Sequence, residues 1–248
     1  MRISVNTLPT LNIFRSILIT ALLVSTSLAH ALDHDYPAWN KLLGKHVAWN
    51  AKGVASSVDY AGFAKDRAAL KEVLGQFSAV SQAHYGNFSR DEKLAFLINA
   101  YNAFTVELIL TEYPNLKSIK DLGSLFRSPW RKKFFTLLEG KRHLDWIEHD
   151  KIRASGVFNE PRIHFAINCA STSCPVLRQE AYVAKKLDDQ LTDQAKQFLL
   201  DMSRNEIRSE SRHVQLSKIF WWFREDFGNR VKTLQVRIGS PRWGNTSV

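Results

Sequence analysis

Between Ser89 and Tyr113 the chain has little choice but to be helical. Ser89 and Glu92 make an S-x-x-E pattern, in which each side chain satisfies an orphan backbone donor of the first turn. Leu94, Leu97, Ile98, Tyr101, Thr105 and Leu108 then fall on one face at about 100° per residue. Pro114 stops the run. Asn99 and Asn102 lie on the flank of that face. An asparagine amide competes for backbone hydrogen bonds inside a helix, and without partners beside a core each would cost roughly 1–3 kcal/mol. They are either clamps on a neighbouring loop or lining residues of a site.

The second constraint is the stretch Arg162–Arg178, RIHFAINCASTSCPVLR. Ile163–Ile167 is short, apolar and partly β-branched, which predicts a buried strand. A polar loop follows and Pro175 stops it. Both cysteines of the chain, Cys169 and Cys174, lie here, with His164 upstream and Ser171–Ser173 between them. A thiol hydrolase or acyl-transferase needs a thiolate and a base, for which Cys174 and His164 are the candidates. On a strand His164 shares a face with Asn168 rather than Cys169, so it would reach Cys174 only if the loop folds back. The competing readings are a Cys169–Cys174 disulfide, which excludes the nucleophile, and a buried reduced pair. Zinc would have two thiols and one imidazole at C-x4-C spacing, one ligand short of a structural site, so no metal and no cofactor is expected.

Residues 1–31 have the order of a secretory signal. Arg2 and Arg15 are the only charges, Ser16–Leu28 is apolar, and Ala29-His30-Ala31 has the small-x-small form of a cleavage site. The alternative, a membrane anchor, has a run shorter than the ~20 residues a span needs. No later stretch reads as long and apolar enough to span a bilayer. The expectation is an exported protein, periplasmic or secreted, beginning near Leu32. Removing two positive charges lowers the net charge from +10 to +8. A basic exported chain suits anionic lipid or envelope polymer better than nucleic acid. An oxidising compartment favours one disulfide.

The other segments predict a short helix within 33–53, a helix or helix pair over 60–81, and a hairpin across Glu139-Gly140-Lys141. They also predict a short helix over 147–154, a strong helix over 184–200, a second hairpin at 206–216, and an aromatic helix over 217–227. Residues 236–248 are polar or small and form a loose tail. The fold class is α+β: one domain over 32–235, with helices packed around a small, mostly antiparallel sheet carrying the His164–Cys169 strand.

Four motifs in order, VDY at Val58–Tyr60, LINAYNAF at Leu97–Phe104, RIHFAINCASTSCPVLR, and LSKIFWWFREDFG at Leu216–Gly228, resemble the domain-of-unknown-function family 547. The resemblance implies kinship with exported bacterial proteins and with modules of larger eukaryotic proteins. It brings no activity, so function rests on the residues. Asn99, Asn102, His164, Asn168, Ser173, Arg178, Lys218 and Asp226 would make a polar pocket for a small molecule, peptide or glycan if the loop packs on the long helix; otherwise they are a buried network. Arg127, Arg131, Lys132, Lys133, Lys141 and Arg142, with Trp130, are an anionic-polymer surface or a solvated face. Phe220–Phe223 is a core stripe or a stacking platform. The two functional classes in play are an envelope hydrolase or transferase around Cys174 and His164, and a non-catalytic binding module locked by a disulfide.

Overall fold

The computed structural model describes residues 32–116, 118–123, 128–154, 156–170, 174–208 and 213–228. The described residues all lie in one compact unit. The central piece is α5 (Arg90–Leu110), and its start follows from its cap. The Ser89 hydroxyl accepts from Glu92 N at 3.2 Å, and Glu92 accepts from Ser89 N at 2.7 Å. Burial departs from the one-face expectation: every residue from Leu94 to Leu110 is buried. A helix that is apolar all round belongs in the middle of a fold. By length and composition Arg90–Leu110 could cross a bilayer, which the sequence reading missed, but 94% of its apolar window is buried inside the protein.

Helices surround it. α1 (Pro37–His46) buries Trp39, Leu42 and Leu43. α2 (Tyr60–Lys65) is capped by Asp59, which accepts from Gly62 N at 2.8 Å. α3 (Arg67–Ser78) buries Leu70, Val73, Leu74 and Phe77 and lies along α5. Its Arg67 and Lys71 reach the buried Glu107 of α5 at 2.7 and 2.6 Å, so that carboxylate is not left uncompensated. α4 (Gln82–Gly86) is a single capped turn. α6 (Leu187–Leu200) buries Leu187, Leu191 and Phe198, whereas Leu199 is exposed. α7 (Ile219–Trp222) is shorter than expected and passes through turns to Gly228, at φ +75°.

The strands form three separate antiparallel pairs among the described residues: β1 (Val47–Trp49) with β2 (Ser56–Val58), β3 (Phe135–Leu137) with β4 (Gly140–Arg142), and β5 (Glu206–Arg208) with β6 (His213–Gln215). The α+β class holds. In the β3–β4 hairpin the positive φ values fall on Leu138 and Glu139, not on Gly140. Gly140 opens β4, where a Cβ would come within 2.5 Å of the Arg142 guanidinium. No strand carries His164. Pro161–Phe165 is a 3-10 turn, because Glu160 caps it by accepting from Arg162 N at 3.1 Å and Pro161 takes the first position. The main core wraps α5, and a smaller one collects Phe165, Phe198 and Ile219 with Phe220, Phe223 and Phe227 against them.

Candidate functional site

Two amides of α5 hold the chain between Pro161 and Tyr182. Asn102 Nδ2 donates to Ala166 O at 3.0 Å, and its Oδ1 accepts from Asn168 N at 2.8 Å. One turn earlier, Asn99 bonds both the carbonyl and the amide of Tyr182, at 2.7 and 3.0 Å. Asn168 continues the pattern: its side chain donates to Pro175 O at 2.7 Å and accepts from Ala170 N at 2.8 Å. It thereby folds the loop back on itself. Cys169 and Cys174, with Cα atoms 5.9 Å apart, are paired through their sulfurs inside that loop, and neither is free. Ser173 lies outside the described residues.

His164 points away from the cysteines' loop to the C-terminal segment. A single 3-10 turn has no alternating faces, so the pleat relation to Asn168 does not apply. The ring is 2% exposed, stacks on Phe223 at 3.8 Å between centroids, and places Nε2 2.6 Å from Asp226 Oδ2. Burial pushes the imidazole down to about 4, against the pull of Asp226. At neutral pH His164 is therefore uncharged. An ionised carboxylate only accepts, so the ring carries its proton on Nε2 and donates it to Asp226. Burial alone would raise Asp226, but hydrogen bonds from Arg153 and His164 outweigh it and hold the carboxyl below its ordinary range.

Arg153 joins the pieces. Its Nε and Nη2 reach the two oxygens of Asp226 at 2.5 and 3.3 Å, its guanidinium lies over the Phe223 ring at 4.7 Å, and Nη1 meets His149 Nδ1 at 2.7 Å. Behind it is Glu148, 8% exposed, on a π-helical turn (Trp146–Ile152) that is closed by Arg153 N on Glu148 O at 2.9 Å. Single π turns recur at functional sites because they re-aim a side chain. Burial drives the Glu148 carboxyl up to about 7. Arg153 opposes that rise, Asp145 and Asp226 add to it, and Tyr101 of α5 is in hydrogen-bonding reach. Two carboxyls near one guanidinium are thus shifted in opposite directions.

Of the sequence-proposed set, the structure brings together Asn102 with Asn168, and His164 with Asp226. Arg178 faces α6, with Asp193 at 2.6 Å and Glu180 at 2.7 Å. Lys218 precedes α7, and its carbonyl accepts from Trp221 and Trp222 N. Glu148, His149, Arg153 and Tyr101 were missed. The available signal was an acid between apolar Ile147 and Ile152, which a helix of ordinary pitch does not align. Of the basic surface, Arg142 stacks over Trp146 at 4.1 Å and Arg131 lies 3.7 Å from Asp145, while Arg127 is outside the described residues. An open pocket of about 230 Å³ lined by Glu112, Asn115, Leu116, Asp121, Leu122 and Lys132 contains none of Glu148, Arg153, His164 and Asp226. Among the described residues no group of three or more His, Cys, Asp or Glu could hold a metal ion.

No curated protein and no solved structure matches the chain. A family model does match, over a span that takes in both asparagines, Glu148, Arg153, His164 and the two cysteines, and ends before Asp226. Over residues 85–199 this chain resembles the family described as protein of unknown function, DUF547.

Proposed function

We propose that the chain is an exported hydrolase or transferase of the cell envelope, and that its chemistry is acid–base chemistry at Glu148 and Asp226 rather than attack by a thiol. The observation that carries this is the pair of carboxyls displaced to opposite sides of the ordinary range beside one arginine, since divergent acidities divide the roles of acid and base. Glu148, protonated up to about pH 7, donates to the leaving oxygen or nitrogen. Asp226, ionised and partly exposed, takes the proton of the attacking water or acceptor hydroxyl. Arg153 binds developing negative charge, and His164 positions Asp226. With Cys174 paired, no thiolate is available at residue 174.

The test is release of new amine or reducing ends from cell-wall glycopeptide, with Glu148→Gln and Asp226→Asn alongside. General acid–base assistance contributes 10²–10⁴-fold in typical enzymes, and losses of roughly that size are expected in both variants at a temperature where both remain folded. Binding without turnover would overturn the enzymatic reading. It would leave the second one, a peptide- or glycan-binding module, which the paired cysteines favour. Mass spectrometry of the mature protein tests export: an N-terminus near Leu32 is expected, and an intact Met1 in the envelope fraction would refute cleavage.

A further inference from the structure

Six large apolar side chains stand exposed among the described residues, and five of them, Leu199, Leu200, Met202, Trp221 and Trp222, come from the end of α6 and from α7. These two ends belong to one unit. Phe198 and Phe220 lie 6.4 Å apart between centroids, and Asn205 ties Phe198 O to Ser217 N at 2.6 and 3.0 Å. The rings that face inward form the small core, and their chain neighbours face out. The aromatic stripe is therefore divided: Ile219, Phe220 and Phe223 pack inward while Trp221 and Trp222 are each about half exposed.

An exposed patch of this composition marks a contact surface. Its aliphatic members offer nothing to the hydroxyls of a sugar, whereas indoles settle at the boundary between hydrocarbon and headgroups. Arg224 lies over Trp221 at 5.1 Å and its guanidinium donates to the Trp221 carbonyl at 3.4 Å, which keeps a positive charge beside the indole. Glu225 and Asp226 are the acids beside Arg224, and Asp226 is paired with Arg153. Directly after Gly228 the sequence adds Arg230, Lys232, Arg237 and Arg242 with no acid through Val248. Each basic residue near an anionic surface raises partition roughly fivefold. We infer that the Leu199–Met202 and Trp221–Trp222 face docks on an anionic lipid surface. This inference does not depend on the acid–base reading.

Sedimentation with phosphatidylglycerol-containing vesicles, against pure phosphatidylcholine, tests it with the full chain and a Trp221→Ser, Trp222→Ser variant. Both proteins share residues 16–28, so partition through that apolar run cancels between them. Preferential binding to the anionic vesicles is expected, with about a tenfold or greater loss in the variant. A Leu200→Gln, Met202→Gln variant should also lose binding, and all three proteins should melt alike because the altered side chains are exposed. Equal binding to both vesicles, or undiminished binding by both variants, would overturn the inference. So would a dimer that both variants dissolve, which would assign the face to a second copy.

Discussion

The chain between Pro161 and Tyr182 is held on two sides by different materials. Toward α5 the bonds are neutral: Asn99 and Asn102 each satisfy one backbone donor and one acceptor. Toward the C-terminal turn they are charged: His164 and Arg153 converge on Asp226, and Glu148 lies behind them. The amide side carries no titratable group and is indifferent to pH, as a fastener should be. The charged side holds a carboxyl that ionises near neutrality and an imidazole kept neutral well below it. That difference assigns scaffold to one side and chemistry to the other.

The strongest way to break the contrast is Asn102→Leu. It orphans Ala166 O and Asn168 N together, at about 1–3 kcal/mol each. Denaturant melts should show a loss of about 2–6 kcal/mol that is the same at every pH. An unchanged midpoint would mean the amide fastens nothing.

The charged side should respond to pH instead. Glu148 is raised from 4.5 to about 7, so the folded state holds a proton the unfolded chain has lost, and stability falls as pH rises through that window. His164 is lowered from 6.5 to about 4, so the unfolded chain binds the extra proton, and stability falls as pH drops through 6.5 toward 4. Each shift corresponds to about 3 kcal/mol over its full window. Between 4.5 and 6.5 the two slopes oppose and nearly cancel. Glu148→Gln should uncover the histidine slope and His164→Gln the glutamate slope, in urea melts taken at half-unit pH steps. Parallel profiles in all three proteins would erase the distinction between the two sides.

Reducing Cys169–Cys174 should have a smaller effect. A six-residue ring is worth roughly 2 kcal/mol by chain entropy, with a melting shift of about 2–4 °C for each kcal/mol. Thiol titration without reductant should find none free. Smallest is Arg153→Lys, which keeps the charge but loses the two-point grip on Asp226. About 1 kcal/mol is expected from the melt, together with an upward move of the Asp226 carboxyl observable by NMR titration.

The start of α5 was legible because a capping box is a local device, written in four residues. Its burial was not, because an amphipathic face is the wrong template for a helix enclosed on all sides. Ile163–Ile167 looked like a strand by its apolar, branched residues. Glu160 and Pro161 carried the opposite message, an N-cap and a first helical position, and local chemistry prevailed over composition. The asparagines were legible as residues in need of partners, though not which partners, since these lie 64–83 residues away in the chain. Glu148 and Arg153 were invisible for a related reason: a π turn shifts the register that periodicity relies on.

Enclosure of α5 also fixes how its amide hydrogens trade with solvent. A surface helix can fray or lift on its wet side and exchange by local opening. From Leu94 to Leu110 there is no such side. Deuterium can enter those positions only when the surrounding helices leave together. Their exchange should therefore be the slowest in the protein and nearly uniform along the helix, and its rate should follow the opening of the whole domain.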